Sequence, residues 1–225
     1  MFLLITKKKW EKKNFNNLSK YKIIVENNLK INEIKKINPK IIFFLHWSKY
    51  IPEKVYNKYL CIQFHISDLP FGRGGSPVQN QILKNITETK ISALKVSEKI
   101  DAGPICLKSK ISLLGRAQDI FIRMEKISIQ MTKKIVQMKK INFRKQKGRV
   151  VNFKRRDAYQ SKLLNSRNEL TSIKKLHNFI RALDAEGYPK ANFELNKFKI
   201  LLSESKMYKE HIVGKFRIEK KKIIF

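Results

Sequence analysis

Apolar and polar positions along the first third of the chain follow two alternating patterns, which predict strands and helices in turn. Three apolar runs, at 2–6, 40–45 and 60–65, have the length and composition of buried strands. Between them, 29–37 carries apolar residues at helical spacing, and 52–59 opens with Pro and Glu as helices do. Strands that alternate with helices form parallel sheets, so we predict an α/β fold.

The middle of the chain continues with a glycine-rich loop and a long amphipathic segment. Pro70 and three glycines mark 66–76 as a loop. The elements predicted after it are a helix over 77–85, strands over 89–97 and 105–111 joined by a turn at 101–104, and an amphipathic helix over 116–138. These strands extend the sheet, which we expect to be parallel or mixed.

The composition changes after that helix. Between 133 and 156 there are eleven basic residues and no acidic one, so we place a domain boundary near residue 140. We expect a larger domain over 1–140 and a small β-rich domain over 141–225. The patterns in the small domain predict a strand at 150–153, a helix at 170–183 and antiparallel strands within 190–225.

A formal net charge of +32 is the strongest compositional signal and points first to a polyanionic partner. However, 40 of the 50 basic residues are Lys, in a chain also rich in Ile and Asn, and all three have A/T-rich codons. Nucleic-acid surfaces favour Arg, which makes bidentate contacts. A solvated Lys-rich surface therefore explains the charge at least as well as a binding patch does.

The cysteines and the N-terminus indicate a compartment. Cys61 and Cys106 each lie in an apolar run, without CxxC spacing or a His at ligand distance, so we expect reduced core thiols and no zinc site. The apolar run after Met1 has only four residues, too short for a signal peptide, and no run is long enough to span a membrane. We therefore expect a cytoplasmic protein without membrane insertion.

His65 is the first candidate for chemistry, because it ends a predicted buried strand just before the glycine-rich loop. Catalytic groups in open parallel sheets collect at the carboxyl ends of strands. Gln63 lies on the same face of that strand, and Asp101 lies in the turn between two later strands. Each also has a structural interpretation, as a capped His, a satisfied core Gln and a turn Asp. Position alone favours the structural interpretations.

The order of several motifs adds to this picture. The stretches CIQFHISDLPFGRGGSPVQNQIL and TKISALKVSEKIDAGPICLK resemble the formyltransferase family, whose motif reads Asn-x-His-x-Ser-x-Leu-Pro, then Arg-Gly-x-x-Pro-x-Gln, then Asp-x-Gly. The resemblance extends over about residues 35–195, through HWSKYIPEKVYNKY upstream and FIRALDAEGYPKA downstream. The residues that match the motif are His65, Leu69, Pro70, Arg73, Gly74, Pro77, Gln79, Asp101 and Gly103.

The resemblance implies a Rossmann-like core and a site that moves a formyl group from 10-formyltetrahydrofolate to an amine, with no metal. It implies catalytic roles for Gln63, His65 and Asp101, which would stabilise the developing oxyanion and move protons. The strand-end loops would hold the folate through Trp47, Ser48, Lys49, Leu69 and Pro70. Gln63 stands where the family has Asn, and its extra methylene displaces the amide, so weak activity is one expectation.

Three interpretations of the substrate or partner follow from the sequence. FHISDLPFGRGGSPVQNQ and DAEGYPKA look closest to proteins of surface-polysaccharide gene sets, which implies a nucleotide-linked amino sugar as substrate. Arg73, Arg181 and Tyr188 would then contact the substrate, although a helix-end Arg and a turn Tyr explain the last two equally well. The alternatives are a methionyl-tRNA formyltransferase, which the basic run at 133–156 suits, and a weakly active or inactive formyltransferase scaffold that acts as a basic nucleic-acid-binding protein.

Overall fold

The computed structural model describes residues 1–10, 12–16, 18–25, 28–166 and 170–220. Two compact units divide the chain. The first contains Met1–Pro77, Glu88–Ile111 and Phe121–Phe153, and the second contains Val78–Thr87, Ser112–Ile120 and Lys154–Phe225. These units differ from the predicted domains 1–140 and 141–225, because the segment 141–153 belongs with the first unit. The boundary near residue 140 stays a prediction about independent folding.

A six-stranded sheet is the largest element of the fold. Its strands are β1 (Phe2–Thr6), β2 (Tyr21–Val25), β3 (Ile41–Leu45), β4 (Leu60–His65), β6 (Glu88–Lys95) and β7 (Ile105–Ser112), in the order β2-β1-β3-β4-β6-β7. The first four strands are parallel and β6 runs antiparallel to β4, so the sheet is mixed. Every residue of β3 is buried, as expected for a central strand covered on both faces.

The other strands of the described residues form two smaller sheets. A pair joins β5 (Phe71–Gly74) in parallel to β8 (Val151–Phe153). A three-stranded antiparallel sheet contains β9 (Ala191–Leu195), β10 (Phe198–Met207) and β11 (Ile212–Lys220), in the order β11-β10-β9. The prediction of antiparallel strands after residue 190 is confirmed for the described residues, and 221–225 lie outside them.

In the part of the chain that the structure describes, five α-helices lie between the strands: α1 (Ile31–Ile37), α2 (Glu53–Tyr56), α3 (Pro77–Leu83), α4 (Ala117–Gln137) and α5 (Ile173–Leu183). Short 3-10 helices cover Lys12–Phe15, Tyr159–Ser161 and Leu163–Ser166. Helix α5 begins at its cap Ser172, whose hydroxyl accepts a hydrogen bond from the Lys175 N–H at 3.2 Å. Each helix predicted from the pattern is present, with ends that differ by a few residues.

The α/β class, the mixed sheet and the C-terminal β-rich part are confirmed. The prediction that 66–76 is entirely loop is wrong, because Phe71–Gly74 forms β5. Its partner β8 lies about 80 residues further along the chain, so the local pattern contains nothing that specifies the pairing. The strand β2 was not predicted from the periodicity, and its five residues include one Lys and one Tyr.

Candidate active site

Parallel strands bring their carboxyl ends to one edge of the large sheet. The strands β1, β3 and β4 are parallel, so the loops that follow Thr6, Leu45 and His65 leave from the same edge. Ligands of open α/β sheets bind at this edge. The turn between β6 and β7 contributes Asp101, and all these segments belong to the first unit.

His65 and Asp101, the two central candidates, are in contact. Their side chains are buried, with His65 5% and Asp101 7% exposed. His65 Nδ1 lies 3.4 Å from Asp101 Oδ2, and Nε2 lies 2.7 Å from the Gly72 carbonyl oxygen. A carbonyl oxygen only accepts, so Nε2 carries a hydrogen.

Asp101 is held by its backbone as well as by His65. Its φ of +53° is unusual for a residue with a side chain, and the Gly74 N–H donates to Oδ2 at 2.9 Å. The other carboxylate oxygen, Oδ1, is buried and has no hydrogen-bond partner among the described residues. A buried acceptor without a partner is costly, and such groups occur where a ligand completes the hydrogen bonding.

Gln63 precedes His65 by two residues on β4, so both side chains leave the strand on the same face. The register places it between Phe44 of β3 and Leu94 of β6. Its side chain is half-buried. The structure therefore puts all three predicted catalytic residues near one end of β4 and brings two of them into direct contact.

The residues predicted to hold the folate fall into two groups. Trp47, Leu69 and Pro70 are buried, and the Trp47 ring packs against Phe44 with 5.9 Å between centroids. The Trp47 indole N–H has no hydrogen-bond partner among the described residues. Ser48 and Lys49 are exposed, and Lys49 Nζ donates to Asn28 Oδ1 at 2.5 Å.

A lysine pair fixes the loop at Leu69 and Pro70. Lys108 Nζ donates to the Leu69 carbonyl oxygen at 2.6 Å and to Asp68 Oδ1 at 2.5 Å, and Lys90 Nζ lies 3.0 Å from Asp68 Oδ2. Burial acts to raise the pKa of Asp68, but the hydrogen bonds from Lys108 and Lys90 outweigh it and hold this pKa below its usual value. The loop carbonyl is therefore held by a charged donor.

Aromatic rings surround His46 at the end of β3. Its imidazole makes edge contacts with the rings of Trp10 at 6.0 Å and Phe121 at 6.2 Å. Burial lowers the pKa of His46 to about 3, so this imidazole is neutral near pH 7. The buried Glu125 accepts from the Trp10 backbone N–H and from Asn14 Nδ2, each at 2.8 Å, and thereby anchors the loop that follows β1.

The three residues predicted to contact substrate have different surroundings. Arg73 donates through Nε and Nη2 to Gln146 Oε1, at 3.1 and 2.8 Å. In the second unit, Arg181 is 6% exposed and donates through Nη1 to the carbonyl oxygens of Leu113 and Gly115, at 2.7 and 2.9 Å. Its burial lowers the guanidinium pKa. This geometry gives Arg181 a structural role, and its contact with substrate stays a prediction.

Tyr188 also lies in the second unit, and it is 38% exposed. Burial raises the pKa of its phenol, and the charge of Arg155 opposes that shift. Its role in substrate binding likewise stays a prediction.

Two side chains of the candidate site, Gln146 and Lys108, were not predicted from the sequence. Gln146 joins Arg73 to the turn of Asp101, and Lys108 holds the Leu69 carbonyl. Gln146 lies in the basic segment that the composition marks as a linker, and Lys108 is one of forty lysines. No local pattern distinguishes either residue, because each acts through partners that are distant in sequence.

The described residues contain neither a metal-binding cluster nor a membrane-spanning helix. Among the described residues, no group of three or more His, Cys, Asp or Glu side chains is arranged to bind a metal ion. Nor does that part of the chain contain a helix long and apolar enough to cross a membrane. Cys61 and Cys106 are free thiols, and burial raises their pKa values to about 12 and 11.

Comparison with known proteins identifies the relatives of this chain. Residues 158–219 match the model of the methionyl-tRNA formyltransferase C-terminal domain. A methionyl-tRNA formyltransferase of Mycoplasmopsis pulmonis is 32% identical over 79% of this chain, which spans 60% of that relative's length. A solved structure of methionyl-tRNA formyltransferase from Clostridium thermocellum is 36% identical with a TM-score of 0.88, covering 98% of this chain and 99% of that one.

A second solved structure shares the fold alone. It is a 4-N formyltransferase from Francisella tularensis, 14% identical with a TM-score of 0.71, covering 90% of this chain and 96% of that one. The buried His65–Asp101 pair lies at the carboxyl end of β4, in the ordered motifs that the sequence shares with formyltransferases. Together with the 36% identity over nearly the whole length of both chains, this shows that the chain belongs to the formyltransferase family.

Proposed function

We propose that this protein transfers a formyl group from 10-formyltetrahydrofolate to a primary amine. The observation that carries the proposal is the buried His65–Asp101 contact of 3.4 Å, in which Asp101 Oδ1 is left without a protein partner. A buried imidazole–carboxylate pair moves protons and stabilises developing charge. The unpartnered oxygen is an acceptor for the hydrogen of an incoming amine.

The strand-end loops fit a folate. Its planar ring system needs apolar contact and a few polar partners, and Trp47 offers both a buried ring and an indole N–H that no described residue accepts. The Leu69–Pro70 loop adds apolar surface, while Ser48 and Lys49 lie at the exposed rim. Bound there, 10-formyltetrahydrofolate supplies the formyl carbon.

Each catalytic residue has a distinct task in this proposal. Gln63 donates a hydrogen bond from its amide towards the formyl oxygen as negative charge develops there. Asp101 orients the imidazole through Oδ2 and accepts the amine proton at Oδ1. The imidazole then gives its proton to the leaving nitrogen and takes the amine proton from Asp101 at Nδ1, which restores both side chains.

We propose methionyl-tRNA as the acceptor. Relatives with that name support it, as does the match at 158–219. An amino sugar, the acceptor expected from the motifs FHISDLPFGRGGSPVQNQ and DAEGYPKA, is the second candidate. The comparisons with named relatives support the tRNA better than the sugar.

One assay separates these acceptors. The whole protein is incubated with 10-formyltetrahydrofolate and either methionyl-tRNA or a panel of nucleotide-linked amino sugars, with His65→Ala as the blank. We expect formylation of methionyl-tRNA that the blank lacks. Turnover of a sugar alone would replace the proposed acceptor. Binding of tRNA without turnover of any acceptor would favour an inactive nucleic-acid-binding scaffold and contradict the proposed reaction.

A further inference from the structure

Gln146 lies between α4 and β8, in a segment without regular structure, yet its side chain uses all of its hydrogen-bonding capacity. Its Oε1 accepts from Arg73 Nε and Nη2 at 3.1 and 2.8 Å. Its Nε2 donates to the carbonyl oxygens of Asp101 and Gly103, at 2.8 and 2.9 Å. A primary amide has two donor hydrogens and two acceptor lone pairs, so this set is complete.

The chemistry of these four bonds requires a Gln. Glutamate has the same shape but no hydrogen to give to the two carbonyl oxygens, and Lys has no acceptor for the guanidinium. Asn has both groups but is one methylene shorter. These four partners therefore require a side chain that carries a primary amide at the length of Gln. A residue in a solvated linker would have no such requirement.

Both groups of the Gln146 amide, the oxygen and the nitrogen, bind segments of the chain that contact the His65–Asp101 pair. One end holds Arg73, which lies between Gly72 and Gly74, and those two residues bond His65 Nε2 and Asp101 Oδ2. The other end holds the turn of Asp101, where φ is +53°. Gly103 in that turn allows close approach, because a Cβ there would collide with the Lys95 carbonyl oxygen.

The segment that carries Gln146 is also held by backbone hydrogen bonds on both sides of Gln146. On one side, the backbone of Arg144 exchanges two hydrogen bonds with Ile105, at 2.8 and 2.9 Å. On the other side, β8 pairs with β5, and the Val151 N–H donates to the Pro70 carbonyl oxygen at 3.3 Å. Gln146 is therefore fixed from both directions and can impose a position on the turn of Asp101.

We propose that Gln146 is a positioning residue for the His65–Asp101 pair, a role that rests on the proposed formyl transfer. It sets the separation between imidazole and carboxylate by holding both backbone segments that contact them. A displacement of about 1 Å in such a pair can cost two orders of magnitude in rate. Gln146 does not reach the reacting atoms itself.

The test compares Gln146→Glu and Gln146→Met with Lys147→Ala, a matched control at the adjacent exposed position. Glutamate keeps the acceptor for Arg73 and removes both donors, whereas Met keeps the length and removes all four bonds. We expect kcat to fall roughly 10- to 100-fold in both variants, while KM for folate and amine stays within about twofold. The control keeps the wild-type kcat. If one variant fails to fold, the other still provides the comparison.

A second readout does not depend on turnover. The imidazole nitrogen resonances of His65, assigned with His65→Ala, should shift in both Gln146 variants and stay unchanged in Lys147→Ala. Unchanged resonances together with unchanged kcat would overturn the proposal and leave formyl transfer intact. If the wild-type protein turns over no amine, formyl transfer fails instead, and the His65 resonances alone decide the role of Gln146.

Discussion

The carboxyl edge of the large sheet and the C-terminal three-stranded sheet use polar and apolar side chains in opposite ways. At the first, His65 and Asp101 are buried and in contact, and the half-buried Gln146 donates a hydrogen bond to the Asp101 backbone. At the second, large apolar side chains are exposed on the edge strand β11, where Phe216 is 68% and Ile218 is 56% exposed. Charged residues such as Lys215 and Arg217 alternate with them.

The difference shows in which of the two regions side chains are held in fixed positions. A buried polar group must be hydrogen-bonded, so each member of the first region restricts the placement of its neighbours. A side chain on an exposed edge carries no such requirement, and its ion pairs are worth little in water. Changes in the first region should therefore act on activity, and changes on the exposed edge should act on neither activity nor stability.

The largest effect is expected at His65 and Asp101. His65→Ala removes the proposed proton carrier, and Asp101→Asn keeps the acceptor for the Gly74 N–H but replaces the carboxylate with an amide. We expect each variant to lose roughly 10²- to 10⁴-fold in kcat, the usual contribution of a general acid–base group. Steady-state kinetics measures the loss, and thermal unfolding checks that the fold is kept. Wild-type kcat in either folded variant would remove that residue from the mechanism.

A second prediction concerns Arg181, the buried arginine of the second unit. Arg181→Met fills the space but leaves the carbonyl oxygens of Leu113 and Gly115 without their donor. A buried acceptor left without a partner costs about 1–3 kcal/mol, and Leu113 is buried whereas Gly115 is exposed, so we expect the free energy of unfolding to fall by about 2 kcal/mol. Urea unfolding measures this change. A raised KM for the amine at unchanged stability would return Arg181 to the substrate site.

The smallest effect is expected on the exposed edge strand. Ile218→Ala removes apolar surface that solvent already reaches, so stability should change by less than about 0.5 kcal/mol. Ile200, directly opposite on β10, is 8% exposed and provides the matched control. Ile200→Ala should cost about 2–4 kcal/mol, because it leaves a cavity. Equal losses in the two variants, measured by urea unfolding, would show that β11 is covered in solution.

Much of the fold could be predicted because periodicity is a local property. The apolar run of β3 and the helical spacing of α4 each identify their element without reference to the rest of the chain. The strand β5 could not be predicted in this way, since the glycines that mark it as a loop also permit its pairing with β8. The mixed order of the sheet likewise depends on the antiparallel pairing of β6 with β4.

The candidate site also contains features that local sequence predicts and features that it does not. His65 and Asp101 were identified because they lie in motifs whose order and spacing are read directly from the chain. Arg73 was identified for the same reason, but its bond to Gln146 joins residues 73 positions apart. Arg181, expected near a substrate, is a buried donor to two backbone carbonyls. The identity of a residue is local, whereas its partners are not.

The sequence by itself therefore determined the class of fold, the place of most helices and strands, and the two residues whose contact forms the centre of the site. Only the tertiary structure decided that a basic segment read as a linker delivers Gln146 to the turn of Asp101. The physical reason is that hydrophobic periodicity acts within one element, while buried hydrogen bonds are made between elements that the chain separates. Those bonds exist only once the sheet has assembled.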